Sequence, residues 1–150
     1  MKMVGKIVIF CIAVMAGVIG KDIGKVTASR VEHAEKEKKG VSALEKIAET
    51  VNAKAPMMID EETRLDKMTV GPGVRGVFHY TVINYPSADL DPAWFTQELR
   101  PSLIKSSCKK DSMIIASRGM GTMAYVYYGN DGRVVSTQNI TMDDCSAMGY

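Results

Sequence analysis

The chain has 150 residues, 46% of them hydrophobic and 24% charged, with a formal net charge of +2. Lys2 and Lys6 account for that excess, since without them seventeen basic side chains face seventeen acidic ones. A neutral body lacks the basic face that nucleic-acid binding needs, and two histidines do not suffice for a histidine-built metal centre.

Ile7 to Gly20 carries no charge and follows a basic start. This pattern delivers a chain to a membrane. The run falls short of the roughly 20 residues that span a bilayer comfortably, so residues 1–20 are expected to be a signal peptide or a retained anchor. A cleavage after Val18-Ile19-Gly20 lacks a clean Ala-x-Ala form. Gly20 and Gly24 have a close-approach spacing, but Lys21 and Asp22 interrupt it. Lys21, Lys25 and Arg30 follow the run, so the positive-inside rule does not fix orientation. Cysteine usage favours export, which places the body in the periplasm, free or tethered to the inner membrane.

Residues 21–40 read as a charged helical spacer, because Glu32, Glu35, Lys36, Glu37, Lys38 and Lys39 leave almost no apolar face. Residues 41–150 then form one domain. Gly40 punctuates the chain, and Ser42-x-x-Glu45 has the capping-box form. Val41, Leu44, Ile47, Ala48 and Val51 recur at helical spacing, and Pro56 stops that helix.

From Met57 the period becomes two. Met57, Ile59, Thr63 and Leu65 share one face of an expected strand, with Asp60, Glu62, Arg64 and Asp66 on the other. Gly71-Pro72-Gly73 turns the chain into a second strand from Arg75 to Asn84, whose Phe78, Tyr80 and Val82 point one way. The match of Gly71 to Gly76 with the G-x-G-x-x-G nucleotide fingerprint is accidental, because that fingerprint must open a helix after a parallel strand.

Asp91-Pro92 reads as N-cap and first helical residue, and Pro101 should kink or restart the helix it begins. Asp111 is expected to cap a short helix through Ile115 that ends at Gly119. Thr122 to Tyr128, the turn Gly129-Asn130-Asp131-Gly132 and the return from Arg133 to Met142 form a second hairpin. The expected fold is α+β: an N-terminal helix, then two hairpins making a four-stranded antiparallel sheet, with the intervening helices on one face.

Cys108 and Cys145 lie outside the apolar run, and in an exported chain two such cysteines are expected to pair. Tyr125 and Tyr127 share a strand face and Tyr128 points away; with Met123 they make a candidate partner surface. No cofactor motif stands out, and no metal ligand set is expected. The one catalytic possibility joins Asp60 or Glu62 to His79. His79, however, lies on the strand face opposite Phe78 and Tyr80, and alternation favours solvated carboxylates.

The ordered set Pro56-Met57-Met58-Ile59-Asp60, Thr63-Arg64-Leu65-Asp66, Tyr80-Thr81-Val82-Ile83-Asn84-Tyr85, Tyr127 to Gly132 and Asp144-Cys145 resembles a family of small bacterial envelope proteins. These carry an N-terminal membrane-targeting segment and have no known activity. The resemblance implies an envelope location and adds no function. The sequence thus supports a non-catalytic adaptor that binds an envelope protein, an inhibitor or immunity protein being one variant. A small envelope hydrolase using Asp60 or Glu62 with His79 is the alternative.

Overall fold

The computed structural model describes residues 29–109 and 121–150. The expected targeting segment and the helix expected after Asp111 lie outside the described residues. The chain divides into two compact units, Met1–Lys36 and Glu37–Tyr150. In the first, residues 29–36 are helical and exposed, and Lys36 reaches Glu32 one turn back at 2.7 Å. Everything below concerns the second unit.

Helix α1 occupies residues 37–52 and runs without a break through Gly40 and Ser42, where a boundary was expected. A mid-helix glycine costs roughly 1 kcal/mol relative to alanine. Burial of Leu44 and Ala48, with Ile47 and Val51 packed alongside, outweighs that cost.

The sheet has five strands in the order β1 (Met57–Met58), β2 (Thr63–Gly71), β3 (Arg75–Val82), β4 (Thr122–Gly129) and β5 (Val134–Ile140). Two features correct the expected four-stranded antiparallel sheet. First, the segment read as one strand from Met57 to Asp66 is a tight hairpin, with Met57 opposite Leu65 and Met58 opposite Arg64. Asp60 makes the turn: its Oδ1 accepts from the backbone amides of Glu62 at 2.9 Å and Thr63 at 2.7 Å. Aspartate favours turns through such local bonds.

Second, β3 and β4 pair in parallel, while every other neighbouring pair is antiparallel. A hairpin connection reverses direction, whereas a parallel pair needs a long crossover. Here the crossover contains α2, built from Pro92–Trp94, a π-turn Phe95–Leu99 and Arg100–Ser107. Asp91 caps it, accepting from the Ala93 amide at 2.9 Å, with Pro92 at the first turn. Pro101 cannot donate one turn back; the π-turn precedes it, and a regular helix restarts at Arg100.

The parallel register sets Phe78 beside Tyr125 and Tyr80 beside Tyr127. Their rings stack with centroids 5.4 and 5.1 Å apart. A bulge between Leu65 and Lys67 turns both Leu65 and Met68 to the core despite their spacing of three. Without it, strand alternation would send one of them to solvent. The core joins these residues to Leu44, Phe95, Ile104, Met123 and Ile140.

Thr141 caps a last helix, α3 (Met142–Ala147), through a capping box with Asp144. This helix was not expected from the sequence. Cys108 at the end of α2 and Cys145 in α3 form a disulfide across 37 residues, with Cα atoms 5.5 Å apart. On the outer side of β2, the Asn52 carboxamide accepts from the Met68 amide and donates to the Met68 carbonyl, both at 2.8 Å.

Candidate functional site

The polar residues singled out from the sequence do not converge. His79 projects from the sheet face opposite Tyr80, where its ring nitrogens lie 3.0 Å from Thr69 Oγ1 and 3.1 Å from the Tyr128 hydroxyl. Asp60 and Glu62 instead border a groove that Tyr80 lines, so the sheet separates them from the imidazole. Burial, then repulsion from Lys67, lowers the His79 pKa, with Asp66 opposing. The backbone amide of Glu62 stabilises the Asp60 carboxylate and lowers its pKa. A general acid near neutral pH needs the opposite shift. The Asp60/Glu62/His79 pairing is therefore not assembled.

The expected partner surface is also redistributed. Met123 is fully buried, and Tyr125 and Tyr127 are nearly so, because β4 is interior to the sheet and α2 covers this face. Tyr125 is held by a 2.6 Å hydrogen bond with Ser107, itself buried. Tyr128 does point the other way, half-buried against His79. Of the four, Tyr127 alone lines the groove.

That groove lies on the helical side of the sheet and encloses about 540 Å³, within the range of ligand-holding clefts. Its floor is aromatic: Tyr80, Tyr127 and Phe95 are brought together by the parallel register and by α2, with Phe95 5.0 Å from the Tyr127 ring. One wall is α2 with Trp94, Leu99 and Leu103; Ile59 and Thr63 of the β1–β2 hairpin line it too, as do Tyr85 and Leu90 of the crossover. Ile59, Tyr85 and Trp94 are 53%, 42% and 51% exposed, so large apolar surface stands in water there. Contiguous exposed apolar surface with a polar border marks interaction sites.

The border is acidic. Asp60, Glu62, Asp89 and Asp91 line the groove, and among the described residues no lysine, arginine or histidine does. Burial raises the pKa values of Tyr80 and Tyr127, and the field of Asp60 adds to the effect on Tyr127. Both phenols stay protonated hydrogen-bond donors at any physiological pH. No serine, cysteine or lysine nucleophile and no imidazole among the described residues lines the groove. Among the described residues, no group of three or more His, Cys, Asp or Glu side chains is placed to hold a metal ion.

The crossover that forms the far wall is pinned to the β4–β5 turn. Asp131 accepts from the Ser87 amide and hydroxyl, at 3.2 and 2.7 Å, and Asn130 donates its amide to the Tyr85 carbonyl at 2.9 Å. Gly129 permits this approach, because a Cβ there would stand 2.3 Å from Ser87 N and 2.8 Å from Pro86 C. Midway along α2, Arg100 donates to the Asn139 carbonyl at 2.9 Å and pairs with Asp144 at 2.7 Å. The groove wall is thus held just before α2 begins and again midway along it. Neither tie was anticipated, although Thr141-x-x-Asp144 carried a readable capping-box signal.

No protein-family model matches the chain, and no curated protein matches it. Solved structures do share its fold. A protein of Pseudomonas aeruginosa assigned as secreted aligns with a TM-score of 0.62 at 20% identity, covering 73% of this chain and 96% of that one. The type 2 secretion pilotin EpsS of Vibrio vulnificus aligns with a TM-score of 0.60 at 14% identity, over 75% and 96% of the two chains. The type II secretion pilotin AspS of Vibrio cholerae gives 0.56 at 16% identity, over 75% and 98%. At such identities the likeness is one of fold.

Proposed function

We propose that this chain is a non-catalytic adaptor of the bacterial envelope, pilotin-like in role as well as in fold. Its groove takes up an apolar segment of an envelope protein partner. The observation that carries the reading is the groove itself: Ile59, Tyr85 and Trp94 are held exposed over an aromatic floor, with no nucleophile–base pair among the described residues that line it. Enzymes concentrate perturbed acids, bases and nucleophiles in their clefts. This cleft offers apolar area and, in Asp60, a carboxylate whose turn hydrogen bonds favour the ionised form. Fold likeness to two pilotins and a protein assigned as secreted supports the envelope setting, as does the Cys108–Cys145 disulfide. Among the described residues no helix is long and apolar enough to cross a membrane; the tether this reading calls for is the uncharged run Ile7 to Gly20.

The test is site-specific photocrosslinking in intact cells, with a benzophenone side chain at position 94 or, as control, at Thr137, an exposed residue of β5. Mass spectrometry then identifies the crosslinked peptide, which is synthesised and titrated against the purified protein. A peptide crosslinked from position 94 alone, and binding with a change in Trp94 emission, supports the proposal. Equal labelling from both positions, or a peptide that does not bind, refutes it.

A further inference from the structure

We infer that the groove selects its partner by charge as well as by apolar contact, taking a segment whose apolar residues are flanked by lysine or arginine. This rests on the groove being the binding site and adds the chemistry of what enters it. The chain as a whole carries slightly more basic than acidic residues, yet among the described residues the groove is bordered by four carboxylates and no cation. The asymmetry is local.

Two of those carboxylates have fold duties: one oxygen of Asp60 holds the β1–β2 turn and one oxygen of Asp91 caps α2. Glu62 and Asp89 are exposed on the border. The ion pairs among the described residues, Arg64–Asp66 and Arg100–Asp144 in this unit, leave both of them out. Four negative charges around one apolar cleft repel each other when it is empty, and a cationic flank relieves that repulsion on binding. Electrostatic complementarity of this kind contributes mainly to selectivity and association rate. It also disfavours acidic segments and anionic lipid headgroups that the apolar floor alone would accept.

Trp94 is the single tryptophan of the chain and stands in the groove wall, half-exposed, so its emission reports occupancy directly. The probes are two tryptophan-free amphipathic peptides with the same leucine stripe, one flanked by lysines and one by glutamates, and a neutral C12 alkyl glycoside below its micellar concentration. The lysine peptide is expected to shift Trp94 emission to the blue and to bind about tenfold or more tightly than the glutamate peptide at low salt, from several exposed charge pairs together. The preference should shrink toward unity at 0.5 M salt and fall about threefold or more in the Glu62→Gln/Asp89→Asn variant, which spares the turn and the cap.

Equal binding of the two peptides, or a preference that survives in the double variant, overturns the charge inference and leaves the groove reading intact. No shift with either peptide overturns both. A shift with the glycoside alone assigns the groove to an acyl chain and likewise overturns both.

Discussion

Reducing the Cys108–Cys145 disulfide removes the covalent tie between the end of α2 and α3. Its effect can be worked from the loop it closes. A loop of 37 residues gives a denatured-state entropy difference equivalent to about 4 kcal/mol at room temperature. Domains of this size are stable by roughly 5–15 kcal/mol, so the bond is a large fraction of the whole. With a urea dependence of about 1.5 kcal/mol per molar, the unfolding midpoint should fall by about 2.5 M on reduction. Urea titrations followed by far-UV circular dichroism, with and without reductant, measure this directly. The Cys108→Ala/Cys145→Ala variant should fall slightly further, because both sulfurs are buried and their removal leaves small voids. The reduced protein should keep α3, whose capping box and Arg100–Asp144 pair do not depend on the sulfurs. A reduced midpoint within about 0.3 M of the oxidised one would refute the reasoning, showing that the bond spans a region already constrained when unfolded.

Gly129→Ala drives a methyl into the backbone of Pro86 and Ser87; a loss of about 1–3 kcal/mol is expected by urea titration, with weaker peptide binding as the far wall shifts. Tyr125→Phe strands the buried Ser107 hydroxyl and should cost about 1–2 kcal/mol, part of which Ser107→Ala restores in the double variant. For Asp144, burial raises the carboxyl pKa, but the Thr141 amide and Arg100 outweigh it, and the net shift is downward. A lowered folded-state value means that the unfolded chain binds the proton more readily. The stabilisation is therefore complete above about pH 4 and lost as pH falls through the folded value. Thermal midpoints should be flat from neutrality to about pH 5 and drop below pH 4, less steeply in Asp144→Asn.

Much of the fold was legible wherever a local signal decides it. The hairpin turn at Gly129 to Gly132, the Asp91 cap and the disruption at Pro101 each depend on a few adjacent residues, and each stands close to its expected place. The parallel β3–β4 pairing was not legible, because strand direction is set by where the long crossover between Val82 and Thr122 lands and not by either strand's own pattern. The β1–β2 turn was hidden for a different reason: Met57, Ile59, Thr63 and Leu65 keep an even spacing on both sides of it, so the polar run from Asp60 to Arg64, which marks the reversal, passes for the wet face of one strand. The groove was the least legible of all. Ile59, Tyr85, Leu90 and Trp94 come from separate loops and helix ends, and only the crossover gathers them into one wall. The tyrosines that seemed most conspicuous in the sequence are the ones the sheet interior consumes.

The Asn52 carboxamide has a consequence beyond its two hydrogen bonds. Strand β1 covers only Arg64 and Leu65 of β2, so most of that strand's outer margin has no neighbouring strand. By supplying both a donor and an acceptor to Met68, one side chain stands where another polypeptide would otherwise dock. Sheet continuation from molecule to molecule, the usual hazard of an uncovered margin, is thereby interrupted at its middle. The protein can present an open apolar cleft on one side without its ribbon edge recruiting further copies of itself.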